Sequence, residues 1–300
     1  MFILGRMFCV FLIVSGLCVF GVFVIIFLTS IFAITEITTT YNQNLRYKPL
    51  AVDIITSNIS TVASDPLNFI EEAIAQTILI NTGQSVQTSI QSNNVANMTG
   101  GVLGNNTFIY QSFTYYWADN STNGVTGTKI DGVWAPVEVR VLFMNSKYNT
   151  ISKAVNNPDG LAEIVFLLNI CSTFNQAFDQ LSQSIQNLTT VLSSTPVSLG
   201  TQFSAVDITS TPFSQPAVPY YSYQGSFVDT VTSQTHSCST VIVPKLEAQN
   251  SCITSDQFTA TFTPVKNAFG QPFTNTLSPD SSTIQFSMYP SGFISTIYYY

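Results

Sequence analysis

The chain has 300 residues, enough for one domain with a sizeable core or two small ones. Hydrophobic residues make up 45% and charged residues only 8%, so the solvated surface must be built largely from Ser, Thr, Asn and Gln. The net charge is −7, and no basic cluster exists to contact phosphates, which disfavours nucleic acid and heparin-like polyanions as partners.

Residues 7–34 carry no charge across 28 positions. As a helix this stretch would be roughly 42 Å long, more than the ~30 Å hydrocarbon core of a bilayer requires. A cleavable signal peptide is the competing reading, but its apolar region usually covers only about 7–15 residues. The expectation is a transmembrane signal-anchor over 7–34, after a short cytoplasmic end at 1–6 whose Arg6 favours that side. Residues 35–43 read as a juxtamembrane tether, 44–290 as the folded domain and 291–300 as a Tyr-rich tail. These assignments imply a single-pass type II membrane protein with its C-terminal domain lumenal or extracellular, and the lipid bilayer as a partner.

Past the tether, Pro49 to Ile55 reads as a short strand, and Asp65 to Ala73 as a helical turn or inserted loop. Thr77 to Ile80 is a strand signal closed by Asn81-Thr82-Gly83, and Ser85 to Ile90 alternates as a half-buried strand does. Phe108 to Trp117 is dense in aromatic and β-branched residues. Trp134 to Met144 places Val137, Val139 and Val141 on one face and Glu138, Arg140 and Leu142 on the other. A central strand does not bury Glu and Arg without partners, so that face either borders a cleft or holds a mutually compensated pair.

Leu161 to Ile170 is a continuous apolar strand after the turn Asn157-Pro158-Asp159-Gly160. Phe174 to Leu188 is an amphipathic helix, with Phe174, Phe178, Leu181, Ile185 and Leu188 spaced by three and four. Further strands are expected at Thr240 to Val243, Phe258 to Phe262 and Ile284 to Met288. Tyr220, Tyr221, Tyr223 and the terminal Tyr298-Tyr299-Tyr300 serve either core and edge filling or an amphipathic contact patch. The whole is mainly β, in one domain.

Outside the apolar stretch are three cysteines, Cys171, Cys238 and Cys252. Cys238 and Cys252 are expected to pair, being close in sequence, which leaves Cys171 free, buried or paired between chains. Five sequons mark candidate N-glycosylation at Asn58, Asn97, Asn105, Asn120 and Asn187. His236 is the single histidine of the chain, and its polar neighbours suggest a solvated loop.

Several segments, in order, resemble the alpha-class carbonic anhydrases. Phe113-Thr114-Tyr115-Tyr116-Trp117 is similar to F-H-F-H-W, and Glu138-Val139-Arg140 through Asn145-Ser146-Lys147-Tyr148 to E-L-H-L-V-H-W-N-x-K-Y. Leu45 to Val52 resembles the early L-K-P-L segment, Asn81 to Val86 resembles N-x-G-H-x-V, and Thr99 to Leu103 the G-G-P-L turn. Asn157 to Ala162 is close to P-D-G-L-A, Tyr221 to Phe227 to Y-x-Y-x-G-S-L, and Thr254 to Phe258 to a late S-x-x-Q helix. The resemblance covers roughly 44–288 and implies that family's domain, with a central mixed sheet, here preceded by one transmembrane helix.

In that family three histidines hold a zinc ion that lowers the pKa of bound water. The resemblance places Thr114, Tyr116 and Arg140 at those positions, Gln84 at the histidine proton shuttle and Val228 at the hydroxide-orienting threonine. Gly127 stands where a glutamate holds that threonine, and Glu138 keeps an acid that normally orients a ligand histidine. Glu138 is then either an ion-pair partner of Arg140 or a new catalytic acid. A chain with one histidine cannot build a three-histidine site, so neither zinc nor another cofactor is expected and the chain reads as a pseudoenzyme. The expected role is membrane-anchored recognition or adhesion with a protein or glycan partner; the alternative is a structural subunit of a larger membrane or envelope assembly.

Overall fold

The computed structural model describes residues 47–50, 52–63, 65, 67–70, 76–83, 85–90, 97–117, 127–191, 194–198, 219–229, 231–245, 252–267, 269–271 and 284–288. They begin with β1 (Tyr47–Pro49), β2 (Val52–Ile54), β3 (Ser60–Ala63), β4 (Leu67–Ile70), β5 (Gln76–Asn81), β6 (Val86–Ile90) and β7 (Asn97–Gly100). There follow β8 (Phe108–Trp117), β9 (Thr128–Ile130), β10 (Val133–Trp134), β11 (Val137–Asn145), the helical turn α1 (Ile151–Ala154), β12 (Leu161–Ile170) and α2 (Gln176–Ile185). The remainder is β13 (Ser194–Ser198), β14 (Tyr220–Asp229), β15 (Thr235–Pro244), β16 (Cys252–Ile253), α3 (Ser255–Phe262) and β17 (Ile284–Met288).

One large mixed sheet runs β13-β5-β6-β8-β11-β12-β15-β14-β17-β3. Its centre, β8-β11-β12, is antiparallel, and β12 then pairs in parallel with β15. The aromatic and β-branched density of Phe108–Trp117 and Leu161–Ile170 is what a strand buried on both faces requires. One face of the centre is apolar: Phe113, Tyr115, Val137, Val139, Val141, Ile164 and Phe166 lie in the main core with Phe178 of α2 and Phe258 and Phe262 of α3. Trp117 stacks on Phe262 with ring centroids 4.7 Å apart. The other face is covered by a small sheet, β10-β9-β2, whose Val52 and Ile54 pack with Val165, Tyr221, Tyr223, Val241 and Val243.

Two helix starts are locked together by one side chain. Thr254 and Gln257 form a capping box at the head of α3. Gln257 Oε1 also accepts the Asn175 N–H at 3.0 Å, while its Nε2 donates to the Asn175 carbonyl at 2.8 Å. Asn175 itself caps α2 by accepting the Phe178 N–H at 3.0 Å. The capping box explains why Phe258–Phe262, expected to be a strand, is helical: the start signal overrides the aromatic content.

Two motifs 11–14 residues apart meet at the C-terminal end of β11. Asn145 Nδ2 donates to the Asp159 carbonyl at 3.0 Å, and the Tyr148 hydroxyl donates to Asp159 Oδ1 at 2.9 Å. Lys147 pairs with the same carboxylate. Gly160 is required here, because a Cβ at that position would lie 1.8 Å from the Ala154 carbonyl oxygen.

The structure corrects several expectations. No helix among the described residues is long and apolar enough to cross a membrane, the longest having 10 residues. The described residues form the mixed-sheet domain, and segment 7–34 lies outside them. The expected transmembrane helix, signal-anchor, type II topology, membrane-anchored role, lipid partner and place in a membrane or envelope assembly thus find no spanning helix among the described residues to rest on. Leu67–Ile70, within the expected helical turn or loop, is a strand paired with β7. Trp134 to Met144 is not continuous: Trp134 ends β10, and β11 starts at Val137 after Pro136. Phe174, expected on the buried face of its helix, precedes α2 and is 57% exposed.

The expected Cys238–Cys252 disulfide is also corrected. Cys171 and Cys252 form the bond instead, across a sequence separation of 81 residues. The reason is topological: β16 pairs in parallel with the end of β12, and the Cys171 N–H donates to the Ile253 carbonyl at 2.9 Å. Non-reducing peptide mapping should recover the peptides of Cys171 and Cys252 linked. The double variant Cys171→Ser/Cys252→Ser should lose about 2–4 kcal/mol of stability in chemical denaturation, the usual worth of closing a long loop.

Candidate functional site: a buried charge cluster on the central sheet

Cross-strand register decides which side chains meet, since residues directly opposite on paired strands share a face. Arg140 lies opposite Thr114 on β8 and Val165 on β12; Glu138 lies opposite Tyr116 and Leu167. Leu142 lies opposite Ser112 and Glu163, and Glu163 in turn opposite Val241, which faces Tyr223. The resemblance-derived positions Thr114, Tyr116 and Arg140 are therefore brought to one face, with Glu138 among them. This is the face beneath the small β2-β9-β10 sheet.

Glu138, Arg140 and Glu163 are 0%, 2% and 3% exposed. Arg140 Nε donates to Glu138 Oε1, Nη1 donates to Glu163 Oε2 at 2.9 Å, and Nη2 donates to Thr128 Oγ1 at 3.3 Å. The Thr128 N–H donates to Glu138 Oε2 at 2.8 Å, and its hydroxyl to Glu138 Oε1 at 3.4 Å. All three faces of the guanidinium fork are thus engaged. The alternative of a compensated buried group holds, and Glu138 is an ion-pair partner.

The electrostatics follow from burial and mutual contact. Burial works against the Arg140 charge, but Glu138 and Glu163 outweigh it and raise the guanidinium pKa above its ordinary value. Burial raises the Glu163 carboxyl, with Arg140 pulling it down and Glu138 pushing it up. Burial likewise raises the phenols of Tyr116 and Tyr223, offset in part by Arg140. Both stay protonated at neutral pH. The Tyr223 hydroxyl is buried without a hydrogen bond of ordinary geometry.

A zinc ion does not fit this donor set. Arg140 has no lone pair to give and stays charged, and a neutral phenol or hydroxyl is a poor substitute for imidazole. The remaining positions are scattered. Val228 is half-buried in β14 at the register of Lys48 and Thr235. Asp229 accepts the Val231 N–H at 2.9 Å within its own turn. Gly127 is buried, and its carbonyl accepts the Val52 N–H at 2.8 Å, so it anchors the covering sheet. Gln84 lies outside the described residues.

His236 is corrected from a solvated loop residue to a half-buried one in β15, opposite Phe227 and edge-on to the Tyr47 ring at 6.1 Å. Tyr220, Tyr221 and Tyr223 are core residues rather than a contact patch; the tail tyrosines lie outside the described residues. Among the sequons, Asn58, Asn105 and Asn187 are exposed, Asn97 is half-buried in β7, and Asn120 lies outside the described residues.

Sequence reasoning missed two residues of the cluster, Thr128 and, more consequentially, Glu163. Glu163 stood inside a run read as uniformly apolar, and the available signal was a lone acid in the middle of a strand buried on both faces.

The eukaryotic-type carbonic anhydrase family model matches residues 51–268. The chain belongs to that family. It is similar to carbonic anhydrase 6 of Homo sapiens, 27% identical over 94 residues that cover 31% of this chain and 29% of that protein. It is also similar to carbonic anhydrase 7 of Homo sapiens, 32% identical over 120 residues, or 39% of this chain and 45% of that one. The aligned stretches span less than half of either relative.

The raised Glu163 pKa gives a signed test. Its proton is held more tightly in the folded than in the unfolded chain, so its contribution to stability is full below the unfolded pKa and lost as pH rises through the folded one. Glu163→Gln, which stays neutral, should therefore gain stability relative to wild type as pH rises through that window. Parallel denaturation series of the two proteins check this; a constant difference would contradict it.

Proposed function

We propose that this chain is a noncatalytic member of its family, a scaffold that binds rather than hydrates carbon dioxide. The observation that carries the reading is the buried Glu138–Arg140–Glu163 cluster, which spends the face of the former zinc-ligand positions on internal charge balance. A hydration site needs an electrophilic metal and a water it can ionise. At those positions the chain offers a hydroxyl, a phenol held protonated by burial and a permanent cation. A fold can outlive its chemistry, and the use left to it is binding of a protein or a glycan through its largely uncharged, hydroxyl- and amide-rich surface.

Purified full-length protein should retain no stoichiometric zinc by elemental analysis and should hydrate carbon dioxide no faster than buffer. One zinc per chain with rapid hydration would defeat the reading. Screening the same protein against glycan arrays, together with cross-linking to candidate protein partners, tests the binding role.

A further inference from the structure

Two carboxylates converge on one buried point, and the group between them is a side chain. Glu138 and Glu163 approach different nitrogens of the Arg140 guanidinium, and Thr128 supplies a third oxygen to the same fork. The Tyr223 hydroxyl, buried beside them without a hydrogen bond of ordinary geometry, is a fourth oxygen in the neighbourhood. Two like charges buried together need a compensating cation, unless one of the pair takes a proton. A protein meets that need with a metal ion or with a basic residue.

We infer that Arg140 is the resident cation of a latent hard-metal site, so that the oxygens of Glu138, Glu163 and Thr128 would take a divalent ion such as Mn²⁺, Mg²⁺ or Ca²⁺ once the guanidinium is removed. The inference rests on the noncatalytic reading and extends it. All the donors are oxygen, two of them carry charge, and none is imidazole or thiolate, which selects hard ions over zinc. The guanidinium fork bonds both carboxylates and the Thr128 hydroxyl, so shortening the side chain would free those oxygens together. Arginine is covalently present in every copy, whereas an ion must be acquired.

The experiment compares full-length wild type, Arg140→Ala, Arg140→Lys and the neutral triple variant Glu138→Gln/Arg140→Ala/Glu163→Gln, each melted with and without millimolar MnCl₂. Wild type and Arg140→Lys should show no response to Mn²⁺. Arg140→Ala should melt lower than wild type and recover by about 4 °C or more with the ion, as expected for a ligand that binds only the folded state. The triple variant should not respond. Manganese resonance spectra of Arg140→Ala should show bound ion at one per chain.

If Arg140→Ala fails to fold unaided, refolding from denaturant gives the same reading. Recovery of folded protein only with Mn²⁺, Mg²⁺ or Ca²⁺ upholds the inference, and equal failure with and without the ions overturns it. A folded Arg140→Ala indifferent to all three, or a triple variant that responds equally, overturns it too. Zinc in the wild-type chain is assayed separately and bears on the noncatalytic reading, so the two failures are distinguishable.

Discussion

The central constraint on this molecule is that both faces of β11 are buried while one of them carries charge. A strand with Val137, Val139 and Val141 against the main core and Glu138 and Arg140 on the reverse must satisfy every one of those polar atoms without water. Arg140 does so by reaching Glu138 two residues away on its own strand, Glu163 on the next and Thr128 on the covering sheet. Removing one member leaves the others charged and dry, a loss of about 3–5 kcal/mol for a buried pair broken from one side. An apolar substitute for the whole set is not penalised in that way, so the cluster is better regarded as a constraint on which residues can coexist than as a source of stability.

That constraint fixes the layers around it. Thr128 is tied to Glu138 through both its N–H and its hydroxyl, and Gly127, one residue earlier, holds Val52 through its carbonyl. The small sheet is thus fastened to the large one at a polar point, and Val52 and Ile54 complete the attachment with apolar packing on Val165 and Tyr223. On the opposite face the helices are fastened by Gln257 bridging both N-caps and by the Cys171–Cys252 bond at the end of β12. Apart from the Thr128–Glu138 contact, ten residues apart, each attachment joins segments distant in sequence.

What was legible in the sequence follows from how locally each feature is specified. The limits of β8 and β12 could be read because ten consecutive strand-forming residues leave little choice, and the face of Arg140 followed from parity alone. The family could be read from ordered short motifs, including N-x-K-Y and P-D-G-L-A, which the structure joins through Asp159. Less was legible where partners come from afar. Cys238 is nearer to Cys252 in sequence, yet strand pairing delivers Cys171. Phe258 to Phe262 has strand-like composition, while the box formed by Thr254 and Gln257, within the segment that resembles a late S-x-x-Q helix, sets a helix. Glu163 was hidden because an apolar run predicts burial but not what a single polar member of it will meet.

The same logic bears on how a catalytic fold can lose its reagent and remain a fold. A metal centre on a sheet face concentrates polar groups that are satisfied only while the ion is held; on the noncatalytic reading proposed above, an acid such as Glu138 then needs another cation. Arginine answers that need with a charge that persists at any physiological pH and five donors in a fixed plane. It brings geometric demands of its own: a second carboxylate, supplied by Glu163, and a hydroxyl acceptor, supplied by Thr128. Lysine, a point charge with three freely rotating donors, would leave the flat arrangement of acceptors from three separate strands less completely used. The identity of residue 140 and the acid at 163 therefore have to be explained together, as one ion-paired set spread over two strands.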